Sequence, residues 1–378
     1  MSARDILLRK RSTTLLLSFQ LLMLAGTSYE MYRNCGDAED SLDNLLVMAS
    51  GIISLSKITI YHMHREKLRT NVVSALDDWS SPEATSYRSL MRSYESIYKK
   101  ITFLLLAAVV WCGSLYFLKV ILIDADEMVE AKSNDGRSNV TLLVLKKRYL
   151  FPSTCTLNDV SDTIHLVLVL NQLVQLVTCC TVAVGSDAFF LAITTHLCGQ
   201  FEILKIRFAA VGREEDSLVT KNPEKLVHLI SRHQHLLHLL ELLEAAYNKI
   251  VLAQLLTSVT LISVAGFSFL IALKTSDFFG SVKSLVVMQY MLLQSFMYTC
   301  IGESLQSQSN DITQSVYEGS WYKLPMKFSK NLVFVMMRSN ASPHLTAGKF
   351  FDMTRSTFMD VVKTSSSYLS ILRIMLNE

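Results

Sequence analysis

The sequence is poor in charged residues, in proline and in glycine, and it lacks the short motifs of common enzymes. Only 18% of its 378 residues are Asp, Glu, Lys or Arg, whereas soluble domains carry about 25%. Its five prolines and 13 glycines do not suit a disordered chain. The nucleotide-binding patterns GxxxxGK[ST] and GxGxxG and the hydrolase pattern GxSxG do not occur. We therefore expect neither an enzyme nor a cofactor.

Hydrophobic residues make up half of the chain, and its mean hydropathy is +0.31. Uncharged runs close to the ~18–20 residues that cross a bilayer recur along it. We predict an all-α polytopic membrane protein that forms one domain over residues 1–378. Its seven predicted transmembrane helices lie at approximately 12–32, 44–63, 101–123, 163–194, 250–273, 284–306 and 350–376. We expect no cleaved signal peptide, because the first run lacks a small-residue cleavage site.

The seventh predicted helix is unusual for a membrane segment. Lys363, Arg373 and several serines lie within it, and lipid tolerates such side chains only where they face water or another helix. Its most polar stripe consists of Ser366, Ser370, Arg373 and Asn377. This helix therefore either lies outside the lipid or borders a water-filled space.

Lysine and arginine are concentrated in four segments, 4–11, 65–100, 205–232 and 323–338. By the positive-inside rule these segments are cytoplasmic, and so is the N-terminus. The helical pattern of residues 194–248 predicts that the transmembrane helices extend into the cytoplasm as a collar.

The loop between the third and fourth predicted spans then lies outside the cell. It contains Asn139-Val-Thr141, a glycosylation sequon that is used only in that location. Cys35 and Cys155 both fall in outside loops, where oxidation is possible. They either form a disulfide or remain thiols, and the sequence leaves both alternatives open.

Two groups of ionisable residues are open to a functional and a structural interpretation. His228, His233, His235 and His238 include an i, i+3 pair that could share a metal, but no Cys or carboxylate stands at a familiar ligand spacing. We favour an amphipathic cytoplasmic helix and predict no metal. Asp187 falls in the fourth hydrophobic stretch and is by default a functional group there. We favour a structural anchor near the inner boundary.

Polar and aromatic residues recur on one face of the sixth predicted span. Tyr290, Gln294 and Tyr298 stand at i, i+4 and i+8, which places them on the same side of a helix. Helix packing or interface anchoring is the plainer interpretation, and we favour it for Tyr116 and Tyr298. The functional interpretation is an apolar pocket with a few polar groups. Its predicted lining is Met48, Ile52, Ala107, Trp111, Tyr116, Met288, Tyr290, Met291 and Gln294.

Several stretches together resemble the insect odorant receptor family. DAFFLAITTHLCGQFEILKIRF at 187–208 resembles the fourth-segment signature of that family, and residues 228–256 are similar to its lead into the fifth segment. Tyr317-Glu-Gly-Ser-Trp-Tyr322, MMRSNASPHLTAGKFFDM and SSSYLSILR follow in the family's order. The chain resembles the variable, odorant-binding subunits rather than the longer shared co-receptor.

The resemblance implies seven helical segments with a cytoplasmic N-terminus and an extracellular C-terminus, and an anchor domain built from the cytoplasmic helix ends. It implies an odorant-gated, non-selective cation channel in the plasma membrane of sensory neurons. The variable subunit would join a co-receptor in a heterotetramer and bind a small, neutral volatile, with no G protein or nucleic acid involved. The last segment would line the pore.

Alignment with the family's aromatic residue at Tyr368 assigns the pore and gate to six positions. They are Thr364, Ser367, Tyr368, Ile371, Ile374 and Met375. The alternatives are a gustatory-type channel, a G-protein-coupled receptor, and, more remotely, a polytopic transporter or membrane enzyme. A transporter would require polar groups at mid-membrane or broken helices in paired halves.

Overall fold

The computed structural model describes residues 3–33, 38–81, 83–122, 128–132, 141–145, 149–151, 161–211 and 223–377. Eleven α-helices occur within these ranges. They are α1 (Ala3–Tyr32), α2 (Ala38–Met63), α3 (Arg65–Ser80), α4 (Glu83–Ser86), α5 (Arg88–Leu122), α6 (Asp162–Ala210), α7 (Pro223–Lys274), α8 (Phe278–Asn310), α9 (Ile312–Glu318), α10 (Met326–Asn340) and α11 (Arg355–Asn377). A short 3₁₀ turn, Trp321–Lys323, precedes α10. The predicted all-α class is confirmed.

Two short hairpins interrupt the helices. β1 (Met128–Lys132) pairs antiparallel with β2 (Thr141–Leu145), in the segment between α5 and α6. β3 (Thr346–Ala347) pairs with β4 (Phe351–Asp352) between α10 and α11. At the tip of this second hairpin Gly348 and Lys349 both have positive φ, as the two central residues of a type I′ turn do. The Phe350 N–H group donates to the Ala347 carbonyl at 3.0 Å and closes this turn. The last predicted span began at 350, whereas the helix begins at Arg355.

The two longest helices extend far beyond a bilayer. α6 has 49 residues and α7 has 52, which at about 1.5 Å per residue corresponds to roughly 75 Å. The hydrocarbon core of a membrane is only about 30 Å thick. Each helix therefore continues well outside the membrane, as the helical pattern of residues 194–248 predicts.

Five segments of the described chain are long and apolar enough to cross a membrane. They are Asp40–Met63, Arg88–Leu118, Asp162–Ala210, Glu224–Lys274 and Phe278–Glu318. α1 and α11 are not among them; α11 has 23 residues but carries the serines and basic residues noted above. The seven-span topology thus stays a prediction.

The membrane segments differ in how much of each lies inside the protein. In its most apolar stretch α7 is 56% buried, whereas α6 is only 6% buried. α7 is therefore a central helix that α2, α8 and α11 surround. The exposed apolar side chains of α6, such as Ile164, Leu166 and Val167, suit contact with lipid, which is as apolar as they are.

The largest cluster of buried hydrophobic residues lies where α6, α7 and α8 pack against one another. Phe190, Phe201 and Phe208 of α6 are fully buried there. Tyr247 of α7 and Tyr298 of α8 pack against Phe190, with ring centroids 4.8 Å away in both cases. This packing fixes the positions of three helices relative to one another, and the same three helices help to enclose the site described next.

Candidate ligand cavity

A cavity of about 130 Å³ lies between α2, α5, α6, α7 and α8. Its walls are mainly apolar, and three thiols, Cys112, Cys179 and Cys180, contribute to them. An engineered apolar cavity of about 150 Å³ is known to hold benzene. The space therefore suits a small monocyclic or short-chain molecule.

Helical spacing explains why one face of α2 forms a wall. Leu46, Val47, Ser50, Ile53, Ser54 and Lys57 line the cavity, and their spacing of one, three or four residues places them on one side of a helix. On α8, Val287, Tyr290, Met291 and Gln294 follow the same rule. Lys57, which interrupts an otherwise uncharged run, is thus directed inward rather than toward lipid.

A polar network closes the Lys57 end of the cavity. We call it the Asp187 network, and its members are Lys57, Asp187, Gln254, Gln294 and Tyr298. The Lys57 Nζ atom donates to Asp187 Oδ1 at 2.7 Å, and both side chains are 1% exposed. Tyr298 Oη also donates to Oδ1, at 2.6 Å, and Gln294 Nε2 donates to Oδ2. Counter-charge and hydrogen bonds together allow Asp187 to remain buried.

A second buried ion pair joins α2 to α8. Lys283 Nζ donates to both carboxylate oxygens of Asp43, at 2.7 and 2.8 Å. The same ammonium lies 6.0 Å from the centre of the Tyr116 ring, and Tyr116 lines the cavity. The two pairs thus tie α2 to α6 and to α8 on either side of the ligand space.

Sequence reasoning did not single out these ion pairs. Lys57 interrupts the second predicted span, and nothing in the local sequence links Asp43 to Lys283. The sequence does show that Lys57 lies at a helical spacing from apolar residues, which indicates a buried charge. It does not indicate the partner of that charge, because 130 residues separate Lys57 from Asp187 and 240 separate Asp43 from Lys283.

The predicted lining residues divide into two groups. Tyr116, Tyr290, Met291 and Gln294 border the cavity. Met48, Ile52, Ala107, Trp111 and Met288 are not among the residues that line it.

The second group is displaced by the rotation of the helices. Trp111 is 57% exposed and Ile52 is 48% exposed, so both face away from the helix bundle, while Met288 packs against the hydrophobic core. For Trp111 and Ile52 the next residue in the chain, Cys112 or Ile53, borders the cavity instead. Tyr298 does not line it and instead serves helix packing and the Asp187 network.

The predicted gate residues lie on the uncovered side of α11. Thr364, Ser367, Tyr368, Ile371 and Ile374 are all exposed in the single chain. The side chain of Met375 is outside the described part. The polar stripe of Ser366, Ser370 and Arg373 is exposed as well. A single subunit therefore leaves both stripes open to water or to a neighbouring chain. Asn139, Cys35 and Cys155 fall outside the described residues.

A second, polar cavity of about 290 Å³ lies farther along α6 and α7, where α3 packs against them. Arg232 donates to Asp78 Oδ1 at 2.6 Å, and His196 Nε2 lies 3.0 Å from Oδ2. Burial raises the pKa of the Asp78 carboxyl, but the hydrogen bond with His196 and the charge of Arg232 outweigh it. The net result is a pKa below the ordinary 3.8.

The four histidines of α7 do not gather around one point. His233 Nε2 lies 3.1 Å from the hydroxyl of Ser339 on α10. His235 Nε2 lies 2.9 Å from the hydroxyl of Ser74 on α3. Among the described residues no group of three or more His, Cys, Asp or Glu side chains could hold a metal.

Comparison with known proteins gives concordant matches. A family model described as "7tm Odorant receptor" matches residues 37–366. Odorant receptor 9a of Drosophila melanogaster is 27% identical over 199 residues, which are 51% of this chain and 47% of that protein. Odorant receptor 13a of the same species is 28% identical over 193 residues, covering 47% and 46%. The chain thus spans about half the length of the curated relatives that it matches.

The fold also has a counterpart among solved structures. The insect olfactory receptor OR5 from Machilis hrabei, solved in complex with eugenol, superposes with a TM-score of 0.78 and 12% identity. The superposition covers 97% of this chain and 90% of that one.

Proposed function

The chain belongs to the odorant receptor family, and on that premise we propose that it is the odorant-binding subunit of a ligand-gated, non-selective cation channel. The channel opens when a small, neutral volatile occupies the cavity between α2, α5, α6, α7 and α8. The observation that carries the proposal is this cavity, which is mainly apolar and large enough for a molecule of that kind. Its charged residues are paired with each other, so a neutral ligand disturbs them least.

The position of α7 supports a route from the ligand to the gate. Gln254, Thr257 and Leu261 of α7 line the cavity. A neighbouring face of the same helix contacts α11, where Ser263 donates to the carbonyl of Ser365 at 3.3 Å. A ligand that displaces the cavity wall therefore acts on a helix that is already packed against α11.

The gate follows from this arrangement together with the resemblance described above. We assign the pore to the face of α11 that bears Thr364, Ser367, Tyr368, Ile371 and Ile374, with Met375 next in the helix. A ligand that binds the open arrangement better than the closed one shifts the population toward the open state. Apolar residues such as Ile371 form a narrow constriction that excludes water when closed.

The assembly and its location are part of the same proposal. We place seven spans in the plasma membrane of a sensory neuron, with the N-terminus inside and the C-terminus outside. A co-receptor subunit completes a heterotetramer, and conduction needs no G protein. The exposed face of α11 in the single chain is the surface that such an assembly would cover.

A glycine in the cavity wall offers a direct test. A Cβ atom on Gly113 would meet nothing within 4 Å, and Gly113 lines the cavity. Gly113→Leu therefore meets no clash at Cβ, and its further carbon atoms take up space at the cavity wall. We expect the half-maximal concentration of an activating volatile to rise by about tenfold or more, since about 1.4 kcal/mol of lost binding corresponds to a factor of ten. The measurement is whole-cell current in cells that co-express a co-receptor.

The matched control is Gly185→Leu. Gly185 is also a helical glycine with open space around its Cβ, but it does not line the cavity. Its response should match that of the unmodified chain. The proposal fails if both variants reach the cell surface and respond alike, or if no volatile in a broad panel evokes a current from the unmodified chain with its co-receptor.

A further inference from the structure

The charge of Asp187 sets the orientation of two side-chain amides. Its carboxylate, paired with the Lys57 ammonium, can only accept hydrogen bonds. Gln294 must therefore turn its NH₂ group toward Asp187 Oδ2, which leaves its amide oxygen facing Gln254. The Nε2 group of Gln254 donates to this oxygen, Gln294 Oε1, at 2.6 Å. Reversing the Gln254 amide would bring two oxygens together, so its orientation is determined as well.

The second amide is left with an unpaired acceptor. Gln254 is 2% exposed, and its Oε1 atom has no hydrogen-bond donor among the described residues. Gln254 lines the cavity, but its Oε1 atom is buried within the wall, so a ligand hydroxyl reaches that atom only when the wall side chains shift. Leaving a buried acceptor unpaired costs free energy, and a ligand that supplies a donor at this wall removes that cost.

The Lys57 ammonium has hydrogen-bonding capacity to spare at the same end of the cavity. An ammonium carries three N–H donors, and in the described chain Asp187 is the partner to which it donates. Lys57 also lines the cavity. The cavity thus presents an acceptor that needs a donor, together with a donor that can take a second acceptor.

We propose that the ligand class of this site is the small neutral hydroxyl compound, an alcohol or a phenol, whose O–H group donates to Gln254 Oε1. The inference rests on the proposed function, because it takes the cavity as the odorant site. A hydroxyl group both donates and accepts, so it suits Gln254 and Lys57 alike. Ethers, esters and ketones only accept. A protonated amine donates, but it brings a positive charge beside the buried Lys57 ammonium.

The test compares triplets of compounds that share one carbon skeleton. We would record dose–response curves for 2-phenylethanol, its methyl ether and ethylbenzene, together with an aliphatic triplet built on hexanol. The cells express the full chain with a co-receptor. The alcohol should act at a concentration roughly tenfold lower than its ether, the factor expected for one hydrogen bond to a buried acceptor.

Two variants distinguish the acceptor from the rest of the wall. Gln254→Met removes the amide oxygen at similar volume, but it also leaves Gln294 Oε1 without the donor that it has now. In Gln254→Met/Gln294→Met both oxygens are gone, so there the advantage of the alcohol over the ether should disappear. Thr257→Val removes another polar group from the same wall, but that hydroxyl already donates to the Ala253 carbonyl at 2.7 Å. The advantage of the alcohol should therefore persist in Thr257→Val.

Each outcome decides between the two proposals. Ethers or hydrocarbons that match the alcohols on the unmodified chain would overturn the hydroxyl assignment, and so would an advantage that survives in Gln254→Met/Gln294→Met. Currents evoked by other volatiles while every alcohol stays silent would overturn it too, leaving the odorant-receptor function intact. If Gln254→Met/Gln294→Met fails to reach the surface, the comparison on the unmodified chain still decides. If no volatile evokes a current while both subunits are at the cell surface, the proposed function itself is contradicted.

Discussion

Breaking the Lys57–Asp187 ion pair from one side should strongly destabilise the protein. The two charged atoms are 2.7 Å apart, and each side chain is 1% exposed. In Lys57→Met the carboxylate keeps its hydrogen bonds from Tyr298 and Gln294, but it loses its only described counter-charge. Removing one partner of a buried pair typically costs about 3–5 kcal/mol. We expect the free energy of unfolding to fall by that amount.

Removing both charges should recover most of the loss. In the double variant Lys57→Met/Asp187→Asn no buried charge remains, and Asn still offers an oxygen to Tyr298. Replacing a whole buried pair by uncharged residues is often neutral. The double variant should therefore be more stable than either single variant, which requires a coupling energy at least as large as one single loss, about 3–5 kcal/mol.

The assay is thermal or denaturant unfolding of the purified protein in detergent, for the unmodified chain, both single variants and the double variant. An exposed ion pair provides the control. Arg338 and Glu241 are 2.9 Å apart, with side chains 54% and 46% exposed. Such pairs contribute about 0–1 kcal/mol, so Arg338→Met should be nearly neutral. Single losses that simply add in the double variant would refute the reasoning, because a buried, mutually dependent pair cannot behave additively.

Two further predictions concern the proposed gate on α11 and the ion pair of Asp78 on α3. Ile371→Ser should raise the current without ligand, because a hydroxyl favours water in a narrow apolar constriction. An unchanged baseline in cells co-expressing the co-receptor would contradict the gate assignment. The lowered pKa of the Asp78 carboxyl means that its contribution to stability is present above its ordinary pKa and is lost as the pH falls through the lower value of the folded protein. Asp78→Asn should therefore lower the unfolding temperature less at about pH 3 than at about pH 7. An equal decrease at both pH values would argue against the ion pair.

The all-α class could be predicted from the sequence because it depends on local composition. Uncharged runs of bilayer length occur within α2, α5, α6, α7 and α8. Lipid offers no partner for backbone groups, so such runs form helices whatever their neighbours are. α11 could not be assigned to the membrane in the same way, because its serines and basic residues are as common in soluble helices as in helices that line a pore.

The cavity could be predicted only in part. Tyr290 and Gln294 stand one turn apart, and helical geometry alone puts them on one face. Which face of α5 points inward is a different matter, since Trp111 is the more conspicuous residue but Cys112 borders the space. Rotation of a helix about its axis depends on packing against its neighbours, and the local sequence does not encode that packing separately.

The sequence by itself determined the family, the helices and the positions of the basic segments, because each follows from residues close together in the chain. Only the tertiary structure decided the pairing of Lys57 with Asp187 and, through it, the orientation of the Gln254 amide. Those groups lie on different helices, and their mutual geometry exists only once α2, α6, α7 and α8 have packed. Hydrogen bonds and charges act over a few ångströms, so the polar chemistry of the candidate site is settled by that packing.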